Sequence, residues 1–126
     1  LPPPTYSSSN TQAAKAAACS AWDRAARSTA RASRASAEAI EQSWTSPESL
    51  AALATEKRTG MAAVSYLRTQ LTDATPASTA IPLHDWMAAN IDMLHALNMR
   101  HWDEAARELK RGNELIDVIT SECGLR

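Results

Sequence analysis

Asp92 and His95 stand three residues apart, a spacing that on a helix puts a carboxylate and an imidazole on one face, as in half of a carboxylate-bridged di-iron site. His95 and Met99, four apart, are the residue types of an axial haem pair on that same face. Both patterns stop short of a site. A di-iron bundle repeats the spacing on a second helix and takes a glutamate from each of the other two, and no second pair is present. Haem needs a roomy apolar pocket, which an alanine-rich core without phenylalanine does not favour. His95 is the candidate metal ligand, with a buried or flanking place on its helix as the plainer expectation. His101 suits a capping role where a helix begins. The chain is expected to carry no cofactor.

A second pattern is electrostatic. In RAARSTARASRASAEAIE, residues 24–41, the arginines Arg24, Arg27, Arg31 and Arg34 recur every three or four positions among alanine, serine and threonine. On a helix they form one stripe about 15 Å long. The opposite stripe, with Trp22, Ala25, Thr29, Ser36 and Ile40, is small enough for a neighbouring backbone to approach closely. Two readings follow: a solvated face partly neutralised by Glu38, Asp103, Glu104 and Glu108, or a docking stripe for phosphate groups, an acidic polymer or an acidic protein face. The four arginines are the candidate partner-binding residues.

Catalytic equipment is thin. There is no H-E-x-x-H, no glycine-rich phosphate loop, no nucleophile motif and no close acid pair with a reason for a shifted pKa. The two cysteines, Cys19 and Cys123, lie near the start of the first helical stretch and near the end of the chain. The expectation is a protein that is not an enzyme.

The elements that position these residues can be read from caps and periodicity. Ser9 with Gln12 is a capping-box pattern for a first helix running to about Ser43. Ser46 and Pro47 have the types of an N-cap and a first helical residue. The second helix shows Leu50, Leu53, Lys57, Met61, Val64, Leu67 and Leu71 as its seam and fades at DATPAST. Pro76 and Pro82 bracket a loop, and a third helix from Pro82 or Leu83 to Leu97 presents Leu83, Met87, Ile91, Leu94 and Leu97. The fourth carries Trp102, Ala105, Ala106, Leu109, Ile116 and Ile119 and ends at Gly124, with Trp102 expected as a core anchor near the turn.

Alanine fills 26 of the 126 positions, and the β-branched residues never alternate over a strand's length. The expected fold is therefore all-α: an up-down-up-down four-helix bundle over residues 10–126, behind a disordered Pro/Ser-rich linker at 1–9. Helices of nearly equal reach bring the start of the first and the end of the fourth to one end of such a bundle, so Cys19 and Cys123 are expected to form a disulfide joining the first and last helices. That bond belongs to an oxidising space. The opening LPPPTYSSSN, without an initiator methionine, reads as a linker remnant behind a signal peptide or an upstream membrane anchor. No apolar run is long enough to insert this fragment in a membrane. A net charge of -1 argues against nucleic acid, although residues 13–37 hold a net +4. Arginine outnumbers lysine ten to three, which with the alanine content suggests a high-GC bacterial source.

Three resemblances follow. NMRHWDEAARELKRGNELI is similar to the inter-helix turn of a tetratricopeptide repeat, but it does not recur, and an ordinary helical hairpin is expected there. SWTSPESLAALA resembles the W-x-G turn of the small helical-hairpin proteins exported by actinobacterial type VII secretion, with Trp44 in the tryptophan position and Ser46 in place of the glycine. The layout as a whole, with AACSAWDRA and TSECGLR behind a proline-rich start, resembles alanine-rich extracytoplasmic domains of mycobacteria and their relatives, secreted or anchored at the N-terminus. The function expected is a non-enzymatic extracytoplasmic module docking a protein or envelope component. The alternatives are a small apolar-ligand carrier, with a gap near the third helix and residues 73–81, and metal or haem binding through His95.

Overall fold

Ser7 and Ser46 each set a hydroxyl oxygen against an amide that the first turn of a helix leaves unpaired. Ser7 Oγ accepts from Asn10 N at 3.2 Å, and Ser46 Oγ accepts from Ser49 N at 3.1 Å. In the computed structural model, which describes residues 4–125, these caps open α1 (Ser8–Gln42) and α2 (Pro47–Gln70). α3 (Ala77–Asn98) and α4 (Trp102–Cys123) follow, and the described residues contain no strand. The fold is the all-α, up-down-up-down four-helix bundle. The cap of α1 is Ser7 rather than Ser9, so Ser8 and Ser9 are helical instead of linker. Residues 1–3 of the expected linker, and residue 126, lie outside the described residues.

The start of α3 corrects a second expectation. Pro82 lies inside the helix, whose N-cap is Pro76, so the segment expected as a loop is already helical from Ala77. Proline's missing N–H would have met the carbonyl four residues back, so its place in the second turn costs α3 one internal bond without ending it. The α3–α4 turn closes with Arg100 in the left-handed region at φ 59°, while His101 N–H donates to Ala96 O at 2.8 Å and Arg100 N–H to Leu97 O at 3.1 Å. Gly124 takes the corresponding left-handed position after α4. His101 occupies the N-cap position of α4 without a capping hydrogen bond; its Nδ1 lies 3.5 Å from Glu104 instead.

α1 packs along α2 and α3 along α4, and contact between α2 and α3 joins the two hairpins; α1 and α4 touch little. One of those touches is covalent, the disulfide between Cys19 and Cys123. Close by, Glu122 of α4 meets Lys15 of α1 at 3.3 Å and accepts from Thr79 Oγ1 of α3 at 3.2 Å. The core fills this half of the bundle. Trp22 meets Trp86 edge to face at 6.2 Å between ring centres, among Ala18, Val64, Leu67, Leu83 and Ile119.

Burial on α2 is shifted from the expected seam. Ser49, Glu56, Gly60, Ala63, Val64 and Leu67 are buried, whereas Leu50, Lys57 and Met61 are exposed. Small residues face inward because the neighbours come close: a Cβ on Gly60 would sit 2.5 Å from Leu94 Cδ1. Ser49 places its hydroxyl against the carbonyls of Ala39 and Ser43, joining the end of α1 to the start of α2.

Candidate functional site

α3 packs along α4, but α1 covers little of the apolar stripe of α4. Ala105, Gly112 and Ile119, seven residues apart, are buried, but Trp102 and Leu109 remain 36% and 47% exposed. They line a groove where α1 and α4 stand apart. The groove consists of two adjoining hollows of about 220 and 390 Å³ that share Ser33, Met93 and Leu109. Its α1 wall runs from Ala26 to Glu41, about 22 Å by the helical rise. Trp86, Ala89, Met93 and Leu97 of α3 form its floor.

The larger hollow lies at the end of the bundle away from the disulfide. Ile40, Leu53, Leu97 and Leu109 give it apolar walls. Trp44, in the α1–α2 turn, packs against Trp102 with ring centres 4.3 Å apart and planes tilted by 43°, and the 46% exposure of Trp44 leaves the pair open to solvent. Trp102 is thus a groove residue instead of the expected core anchor, because α1 stands off from the start of α4.

One wall carries a buried charge. Glu56 of α2 is only 6% exposed and lines the larger hollow. Its two oxygens accept from Ser33 Oγ at 2.5 Å and Ser36 Oγ at 2.6 Å, both on α1. Among the described residues no basic group pairs with it. A carboxylate oxygen has more than one acceptor position, so each keeps capacity for a further donor. Glu41 and Glu108 also line the groove, Glu108 with Arg111 at 3.1 Å, and among the described residues no lysine, arginine or histidine does.

The arginines expected as a docking stripe are all exposed, on a face of α1 turned about 120° from Ala26, Ser33, Ala37 and Ile40 by the helical repeat of 3.6 residues. Arg27 pairs with Asp23 of its own helix at 3.1 Å. The expected neutralisation by Glu38, Asp103, Glu104 and Glu108 does not occur among the described residues; Glu104 faces His101 and Glu108 faces Arg111. The stripe and the groove are separate surfaces.

His95 is exposed rather than buried, in a shallow hollow with Asp92, Glu104, Arg107 and Glu108. Its expected partner Asp92 lies 3.7 Å from Arg111. Among the described residues no three His, Cys, Asp or Glu side chains gather to hold a metal ion. The gap expected near residues 73–81 lies elsewhere, since Thr75 and Thr79 are buried there.

Glu56 and the groove were missed by sequence reasoning for different reasons. Glu56 had a signal, its i, i+4 spacing from Gly60 and its i, i+3 spacing from Leu53, but Lys57 was placed on the seam instead. The groove had none, because it depends on the distance between two helices that are far apart in sequence. Comparisons of the chain with family models, with curated proteins and with solved structures give no match.

Proposed function

We propose that this protein is a non-enzymatic helical module acting outside the cytoplasmic membrane, and that its α1–α4 groove carries a small apolar ligand. The observation that carries the reading is the larger hollow: its volume of about 390 Å³ lies within the range of small-molecule sites, and its apolar walls include a partly exposed tryptophan pair. The disulfide supports an oxidising location. No described helix is long and apolar enough to cross a membrane.

A neutral dye that brightens in apolar surroundings, such as Nile red, tests this reading. One equivalent should bind with micromolar affinity, and Leu109→Trp, which fills the hollow, should weaken binding at least tenfold while leaving helical content unchanged. Absence of binding, or equal binding by the filled variant, would remove the carrier reading.

A second reading rests on the arginine stripe, where four exposed guanidinium groups share one ion pair among the described residues. Here the module docks an acidic protein or envelope component. Reversal of Arg27 and Arg31 to Glu should abolish recovery of that component and leave the melting temperature nearly unchanged; undiminished recovery would sink it.

A further inference from the structure

Resting on the carrier reading, we infer that the groove selects amphipathic cations: ligands with an aliphatic body and a protonated amine that reaches Glu56. The inference stands on charge and burial together. Among the described residues the groove walls present three carboxylates, Glu41, Glu56 and Glu108, and no basic side chain. Only Glu108 has a cation within salt-bridge distance among the described residues. Glu56 is the decisive group, because a buried carboxylate is poorly hydrated and two serine hydroxyls supply hydrogen bonds but no positive charge.

An ammonium group reaching the carboxylate supplies the missing countercharge, with donors that match its remaining acceptor positions. The aliphatic body then lies against Leu53, Met93, Leu97 and Leu109, which line the same hollow. Trp44 and Trp102 add aromatic faces, which attract cations through their negative π surfaces and also cover apolar chains. An anionic head group meets the reverse situation, with carboxylates in the walls and the arginines turned away on another face.

The test compares three ten-carbon probes by calorimetry, each below its aggregation concentration: decylammonium, decan-1-ol and decanoate. Wild type should bind decylammonium at least tenfold more tightly than decan-1-ol, with decanoate weakest. Glu56→Gln, which keeps the shape and an acceptor for the serines, should bring the amine to within threefold of the alcohol. If all three bind equally, or decanoate binds best, amine selection is overturned while the carrier reading stands. If none binds, the carrier reading itself falls. Should E56Q not fold, amide shifts of the wild type decide: decylammonium must move Ser33, Ser36 and Glu56, and shifts confined to Arg24, Arg27 and their neighbours would overturn the assignment.

Discussion

Among the described residues, Arg100 is the one non-glycine residue with a positive φ. Its φ of 59° belongs to the left-handed region, where an L side chain costs about 1–2 kcal/mol and glycine costs little. Arg100→Gly should therefore raise the melting temperature by a few degrees, and an unchanged or lower value would show that the turn is held by something else. Glu122 makes a prediction about pH. The Ser78 hydroxyl, then Lys15, hold its carboxyl below the ordinary carboxylate value. A carboxyl that ionises more readily in the folded state contributes stability above its unfolded pKa, and that contribution is lost as pH falls through the folded one. Between about pH 5 and pH 3, wild type should thus lose stability more steeply than Glu122→Gln in urea titrations; parallel pH profiles would refute the role of this cluster.

Helix ends with a strong local cause were legible in the sequence. Ser46 with Pro47 and Gly124 act where their types place them, because capping depends on a few adjacent atoms. Faces were less legible. Leu50 and Met61 look like core and are exposed, while Ser49, Gly60 and Ala63 are inside, because close helix packing favours small residues over large ones; Glu56 is inside with its carboxyl paired to two α1 serine hydroxyls. Pro82 misled for a related reason: the α3 packing tolerates a lost hydrogen bond that a local rule treats as a helix start. The two mid-helix glycines separate propensity from packing. A Cβ on Gly112 meets nothing within 4 Å, so Gly112→Ala should gain up to about 1 kcal/mol of helix propensity. Gly60→Ala must displace the buried Leu94 and should forfeit that gain or more. Equal changes in melting temperature for the two variants would contradict this account of the α2–α3 contact.

As a whole, the molecule is two helical hairpins clamped at one end by Cys19–Cys123 and the Lys15–Glu122–Thr79 cluster, with a groove between α1 and α4 toward the other. The disulfide spans 104 residues, a separation for which loop entropy gives about 4–5 kcal/mol as an upper figure. Because α1 and α4 otherwise touch little, reduction should lower the denaturation midpoint markedly and speed amide exchange in both helices; an unaltered midpoint would mean that noncovalent contacts suffice. The meeting of the cysteines was legible from helix lengths, whereas the standing apart of α1 and α4 was not, since it arises from the packing of whole hairpins. The most direct test of the groove as a ligand site is an amide and indole NMR spectrum of the intact protein titrated with decan-1-ol below its solubility limit. The predicted result is saturable, one-to-one movement of the Trp44 and Trp102 indole signals with the amides of Ser33, Ala106 and Leu109. Signals that stay fixed there, or that drift uniformly over the whole chain, would contradict it.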